Sequence, residues 1–141
     1  MKLTISNLQR RIVIRKEVII QKVRRILHLQ NKKEADLSIV FVNDKIIKKL
    51  NKAFLNKNRP TDVLAFDLSN KNQNRKSLNA EIIISAETAE KNSKNYKTSL
   101  QYEILLYLTH GILHLCGYDD RYKKDKKLIR KREKYILKKL S

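Results

Sequence analysis

The pattern of apolar and polar residues divides this chain into short strands and longer amphipathic helices. Short runs that are rich in β-branched residues, or that alternate between apolar and polar side chains, are typical of strands. The predicted strands are residues 3–6, 35–42, 62–66 and 80–85. Longer runs place apolar residues three and four positions apart, which is typical of helices that bury one face. The predicted helices are residues 15–30, a segment capped by Asn43 or Asp44, and residues 86–96, 99–115 and 122–139.

Strands and helices follow one another without strict alternation. This order predicts an α+β, or mixed α/β, fold in which a small mixed sheet of about four strands is packed with about five helices. The polar run at residues 67–79 is predicted to be a loop. Because neither an internal repeat nor a linker is visible, and 141 residues suit one domain, residues 1–141 are predicted to form a single domain.

Two helices carry apolar faces whose burial the spacing predicts. In the helix after Asn43, the predicted buried side chains are Ile46, Ile47, Leu50, Ala53 and Phe54. In the C-terminal helix, the predicted buried stripe is Leu128, Ile129, Tyr135, Ile136 and Leu137. The segment 121–141 also contains eleven Lys or Arg residues and two acids. Its polar face is therefore either a docking surface for phosphate groups or simply a solvated face of an amphipathic helix.

The overall charge points to an anionic partner. The chain has 33 Lys and Arg residues against 14 Asp and Glu, a formal net charge of +19. Nucleic acid is the first candidate partner of so basic a protein, and an anionic membrane surface is the lesser option. An AT-rich coding bias would also favour Lys, Asn and Ile. That bias accounts for the replacement of Arg by Lys better than for the shortage of acids.

Signals for export or membrane insertion are not visible in the sequence. No apolar run is long enough to span a bilayer, and residues 1–17 lack the apolar core and cleavage site of a secretory signal. Cys116 is the only cysteine, so an internal disulfide is impossible and a reducing compartment is suitable. We therefore expect a cytoplasmic protein without a membrane partner.

Two histidines four residues apart are the strongest sign of chemistry. His110 and His114 fall in one predicted helix, where that spacing brings side chains to within about 40° of each other on one face. Two such imidazoles can bind one metal ion, and a zinc site then needs a third protein ligand and an open position for water. Gly117 lets the chain fold back after the helix, so Asp119 or Asp120 could supply that ligand. The alternative is that both histidines are ordinary helix residues.

The H-x-x-x-H spacing is also found in zinc peptidases. Those enzymes carry a glutamate directly after the first histidine, where it acts as general base. Here that position is Gly111. A zinc metallopeptidase-like hydrolase is therefore an alternative that lacks its usual base.

The stretch HGILHLCGYDD at residues 110–120 resembles the signature H-G-x-L-H-L-x-G-Y-D-H of the YbeY family of bacterial endoribonucleases. Two further segments are similar to family patterns and come in the same order. They are LNKAFLNKNRPTDVLAF at residues 50–66 and AEIIISAETA at residues 80–89. The resemblance covers nearly the whole chain. It implies a small mixed α/β metalloprotein with one zinc ion on three histidines at the end of a central helix.

The resemblance assigns His110 and His114 as metal ligands, and places His114 in the catalytic centre. The third histidine of the family falls on Asp120, which implies a His₂Asp site for one divalent ion, with Zn²⁺ as the first choice. A carboxylate in place of an imidazole relaxes selectivity among divalent metals. The alternative is that Asp120 only pairs with Arg121 and the metal is weakly held or lost.

A second departure from the family concerns phosphate binding. Family members commonly have an arginine, thought important for RNA cleavage, at the position of Leu55. Arg59 is close in sequence and is the candidate replacement as a catalytic residue, while Lys57 and Arg59 are candidate contacts to RNA phosphates. The alternative is that Arg59 is a solvated loop residue.

The resemblance implies a metal-dependent, single-strand-specific endoribonuclease that acts in 16S rRNA 3′-end maturation and ribosome quality control. The implied partners are ribosomal RNA and the small ribosomal subunit, and a small-molecule substrate is not expected. Two other functions stay open, namely the zinc metallopeptidase-like hydrolase and a non-catalytic ribosome- or RNA-binding protein with a structural metal.

Overall fold

The computed structural model describes residues 1–69 and 75–141, which form a four-stranded sheet packed with five helices. The strands are β1 (Lys2–Asn7), β2 (Glu34–Val42), β3 (Val63–Asp67) and β4 (Ser77–Ser85). The helices are α1 (Lys16–Leu29), α2 (Asp44–Leu55), α3 (Ala86–Tyr96), α4 (Leu100–Leu115) and α5 (Lys123–Leu140). The predicted α+β class is confirmed for this described part of the chain. None of its helices combines the length and the apolar character needed to cross a membrane.

The sheet is mixed, with strand order β1-β2-β4-β3. β2 pairs in parallel with both β1 and β4, whereas β3 is antiparallel to β4 at one edge. One face of the sheet packs on α1, α3, α4 and α5 through the main hydrophobic core. The other face carries a smaller apolar cluster in which Ile47 of α2 packs with Val42, Leu64 and Ile83. β4 is therefore buried on both faces, which explains its unbroken run of isoleucines.

The helix α4 is the central helix of the main core. It packs against β3 and β4 on one side and against α1, α3 and α5 on others, and this burial on several sides explains its nearly continuous apolar sequence. Gly111 faces the sheet, where a methyl group in its place would lie 3.4 Å from both Ile82 Cδ1 and Val63 Cγ2. The second half of α4, which carries both histidines, therefore lies against β3 and β4 at this position.

The predicted apolar face of α2 is only partly correct. Ile47 is buried, but Ala53 is exposed and the Phe54 side chain is 65% exposed. Asn51 is buried in their place, and its Nδ2 atom donates a hydrogen bond to the carbonyl oxygen of Arg59 at 3.0 Å. The C-terminal part of α2 therefore contacts the loop that follows it, through Asn51, and leaves Ala53 and Phe54 of its predicted apolar face exposed.

The predicted stripe of α5 is also wrong at two positions. Leu128 and Tyr135 are exposed. The buried side chains of this helix are Ile129, Glu133, Ile136 and Leu140. The buried positions follow steps of four, three and four residues along one face, and one of them is an acid.

The predicted loop at residues 67–79 is too long at both ends. Asp67 still belongs to β3, and β4 begins at Ser77 because its first residues pair with β2, with Ser77 opposite Glu34. Residues 70–74 of the predicted loop lie outside the described residues.

Candidate metal centre and adjoining cleft

The end of α4 brings the two histidines and one aspartate together. His110 and His114 lie one turn apart, and α4 ends at Leu115. The chain then reverses at Gly117, whose φ of +101° is one that residues with a side chain rarely adopt, and the Gly117 amide donates to the carbonyl oxygen of His114 at 3.0 Å. This reversal returns Asp120 to the two imidazoles, where these three side chains form a group able to hold a metal ion.

The three side chains form a small triangle of donor atoms. The two Nε2 atoms of His110 and His114 are 3.0 Å apart, and Asp120 Oδ2 lies 3.6 Å and 3.4 Å from them, respectively. Ligands bound tetrahedrally to zinc at about 2.0–2.2 Å are separated by about 3.3–3.6 Å. The donor set and its spacing therefore fit a divalent ion. The His110, His114 and Asp120 side chains are 28%, 31% and 48% exposed, so one side of the triangle is open to solvent.

The two candidate aspartates have different roles in this turn. Asp119 Oδ1 accepts hydrogen bonds from the amides of Asp120 and Arg121, at 2.7 and 3.1 Å, and these bonds lower the pKa of the Asp119 carboxyl. Asp119, not Asp120, is also the acid that approaches Arg121, at 3.9 Å. Asp120 faces the imidazoles, which is the arrangement that metal ligation requires.

Glu133 of α5 was not identified from the sequence, yet it touches the histidine pair. Its Oε1 atom lies 2.8 Å from Nδ1 of His110, and its residue is 8% exposed. Burial lowers the pKa of His110, but the hydrogen bond and the negative charge of Glu133 outweigh it and raise the pKa above its usual value. When Nδ1 donates to a carboxylate, Nε2 is left free to bind a metal, as in many metal sites. One feature of the sequence could have identified Glu133. It is an acid within a very basic segment, and it lies four residues after Ile129 and three before Ile136, on the face of α5 that is buried.

A cleft of about 390 Å³ opens beside the triangle. Leu55, Lys57 and Arg59, which the sequence analysis had singled out, all line it, as do both histidines and Asp120. The other lining residues are Asn51, Thr61, Asp62, Val63, Leu64, Ala65 and Gly111. The cleft therefore combines the group that could hold a metal ion with two cationic side chains.

Asn51 fixes the loop that carries these cations. Its carbonyl oxygen accepts from the Lys57 amide at 3.3 Å, while its side chain donates to the Arg59 carbonyl. Asn56 has a left-handed backbone conformation, with φ of 55°, which ends α2 and turns the chain. Asn51 was not predicted to be part of the site because it falls beside the predicted apolar face of α2, where a polar residue gives no sign of burial.

The peptidase alternative finds no support at Gly111. A Cβ atom at this position would face the sheet, 3.4 Å from Ile82 Cδ1 and Val63 Cγ2. Glycine carries no carboxylate, so the general base that zinc peptidases place after the first histidine is missing from this position.

The chain is similar throughout its length to known endoribonucleases. The family model described as Endoribonuclease YbeY matches residues 4–141. A protein named Endoribonuclease YbeY from Aquifex aeolicus is 37% identical over 75% of this chain and 71% of its own length. One from Fusobacterium nucleatum is 35% identical over 84% of this chain and 75% of its own. One from Desulforamulus reducens is 29% identical over 99% of this chain and 97% of its own.

A solved structure has the same fold. The solution structure of a Thermotoga maritima protein superimposes with a TM-score of 0.68 and covers 99% of this chain and 89% of the other, at 24% identity. This likeness extends the agreement from sequence to the arrangement of strands and helices.

Proposed function

The chain belongs to the YbeY family of endoribonucleases, and from this premise we propose that it is a metal-dependent endoribonuclease specific for single-stranded RNA. We further propose that it acts in the cytoplasm on ribosomal RNA of the small subunit, in 16S rRNA 3′-end maturation and ribosome quality control. The observation that carries the proposal is the convergence of His110, His114 and Asp120 in a cleft that also holds Lys57 and Arg59.

The proposed metal ligands are Nε2 of His110, Nε2 of His114 and a carboxylate oxygen of Asp120. A bound Zn²⁺ would supply a Lewis acid for a phosphoryl oxygen and a water whose pKa is lowered to about 7. Glu133 orients His110 by accepting a hydrogen bond from its Nδ1–H group. His114 faces the open cleft and is the ligand that we place nearest to the substrate.

Lys57 and Arg59 are the proposed phosphate-binding residues. Both line the cleft beside the two histidines, and a guanidinium can bind two phosphate oxygens at once. Cationic groups placed where negative charge develops on phosphorus stabilise the transition state. Arg59 is the proposed catalytic replacement for the arginine that the family carries at the position of Leu55.

The exposed end of α2 supports a preference for unpaired RNA. Leu55 is 50% exposed and lines the cleft, and the neighbouring Phe54 is 65% exposed, with its ring in edge contact with Phe66 at 5.4 Å between centroids. An exposed aromatic ring such as that of Phe54 can stack on bases that are free of a duplex.

We expect the purified protein to cleave a single-stranded RNA oligonucleotide but neither the same sequence in a duplex nor casein. Dialysis against a chelator should remove the activity, because the lowered pKa of the bound water is lost, and added Zn²⁺ should restore it. Product analysis on gels measures all three substrates. Digestion of casein would favour the peptidase-like hydrolase, and RNA binding without cleavage would favour the non-catalytic alternative.

Replacement of Arg59 by alanine should lower the cleavage rate by about 10²-fold, because one charge-stabilising donor is removed, while the metal content stays unchanged. Arg59→Lys should retain part of the rate. Arg24 of α1 is an exposed arginine that does not line the cleft, and Arg24→Ala is the matched control. Single-turnover rates and metal analysis of all three variants test the prediction, and an unchanged rate in Arg59→Ala would exclude Arg59 from the mechanism.

A further inference from the structure

We infer that a second groove, walled by Lys126 and Arg130 of α5, binds the RNA backbone on the side of the metal triad opposite to Lys57 and Arg59. This inference rests on the proposed function, since it extends the same site from one cleft to a path through two. The charge of α5 as a whole predicts only a diffuse attraction of RNA. The groove goes further, because it identifies Lys126 and Arg130 as the side chains that contact the RNA backbone.

The two cavities meet at His110 and Asp120 of the metal triad. The groove measures about 370 Å³ and the first cleft about 390 Å³, and both are lined by Asp62, His110 and Asp120. Lys57 and Arg59 line only the first of these cavities, while Lys126 and Arg130 line only the second. A chain that lies across the triad would therefore pass from one cationic pair to the other.

The two cations of the groove are available to a ligand. Lys126 and Arg130 are exposed, and within residues 1–69 and 75–141 neither side chain makes a hydrogen bond or salt bridge. By contrast, the structural arginine of this helix, Arg132, is bound to the Leu29 carbonyl at 2.8 Å and to Gln30 at 2.7 Å. Free cations held close to an active site are suited to phosphate groups.

The acids of the groove already have partners. Glu133 Oε1 lies 2.8 Å from His110 Nδ1, and Asp120 faces the two imidazoles. Asp62 Oδ1 accepts from the Val63 amide at 2.8 Å. The acids therefore serve the triad and the backbone, and the groove offers its two unengaged cations to an anionic strand.

The helix itself supplies a matched control. Lys127 and Lys131 have the same spacing of four residues as Lys126 and Arg130 and are equally exposed. They do not line the groove. Removal of either pair lowers the net charge of the protein by the same amount, so a difference between the two variants reports position and not total charge.

The test compares the double variants Lys126→Ser/Arg130→Ser and Lys127→Ser/Lys131→Ser. Binding is measured by fluorescence anisotropy with a 2′-O-methyl single-stranded oligonucleotide that cannot be cleaved, so that the result does not depend on catalysis. We expect the groove variant to raise Kd about tenfold and to reduce the slope of log K against log salt by about 1 to 2, as the loss of two phosphate contacts predicts. The control variant should stay within about twofold of wild type.

Shorter oligonucleotides locate the contact. If the groove binds the strand beyond the triad, shortening the oligonucleotide from one end should raise the Kd of the wild-type protein to that of the groove variant. Shortening it from the other end should leave the ratio of the two Kd values unchanged. Thermal unfolding checks that both variants fold.

Equal losses in both double variants, or no loss in the groove variant, would overturn the inference. A selective loss of binding in the groove variant supports it even if the wild-type protein cleaves no RNA. A wild-type protein that binds RNA but does not cleave it would overturn only the proposed catalytic function.

Discussion

Replacement of His114 by alanine is expected to lower the rate of RNA cleavage by about 10³-fold or more without unfolding the protein. Metal assistance contributes several kcal/mol to the transition state, and each 1.36 kcal/mol corresponds to a factor of ten in rate. The Nε2 atom of His114 contacts Nε2 of His110 at 3.0 Å and Asp120 Oδ2 at 3.4 Å, so its truncation removes contacts within the metal group. Cleavage rates and thermal unfolding curves of the same preparations measure both effects.

His28 provides the control for this experiment. It is an exposed histidine in the last turn of α1, and His28→Ala should retain the activity of the wild-type protein. Full activity in a folded His114→Ala protein would show that the metal group is not catalytic. If His114→Ala instead unfolds, while His28→Ala does not, the metal is structural, as the non-catalytic alternative requires.

The second large effect is expected at Asp120. Asp120→Ala should weaken metal affinity by about 10³-fold, more than the 10–100-fold typical of losing an outer partner of a ligand, because it leaves only two protein donors. Asp120→His supplies the histidine of the signature that residues 110–120 resemble and should keep the metal. Mass spectrometric metal analysis after dialysis at several free Zn²⁺ concentrations gives the affinities directly.

Asp119 is the matched control, because it is the neighbouring acid of the same turn and bonds to backbone amides instead of facing the histidines. Asp119→Ala should therefore keep its metal. Equal metal content in Asp120→Ala and the wild-type protein would exclude Asp120 as a ligand. The two alanine variants together separate ligation from the general effect of removing an acid near two imidazoles.

Elements defined by nearby residues were predicted well. Asn43 was expected to cap a helix, and its side chain accepts the Ile46 amide at 2.9 Å at the start of α2. The isoleucine run of β4 and the two-histidine helix α4 also lie where the pattern placed them. A side-chain cap or a β-branched run acts over three or four residues, so its effect is readable without the rest of the fold.

Burial depended on which surface each helix meets, and here the predictions failed in part. Phe54 and Leu128 are apolar at helical spacing but exposed, while Asn51 and Glu133 are polar but buried. Asn51 is satisfied by a loop backbone and Glu133 by His110 from another helix. Such partners are remote in sequence or lie in irregular segments, so periodicity alone does not identify them.

By itself, the sequence determined the α+β elements, the basic character of the chain and the pair of imidazoles on one turn of α4, because these depend on composition and on neighbours a few residues away. Residue spacing left Asp119 and Asp120 open and the family resemblance indicated Asp120, which the tertiary structure places opposite the imidazoles. Only the tertiary structure decided that Glu133 reaches His110, and that Lys126 and Arg130 lie beside the same group as Lys57 and Arg59. Those placements depend on how a chain reversal, a loop and a distant helix pack around α4, and packing is a property of the whole fold.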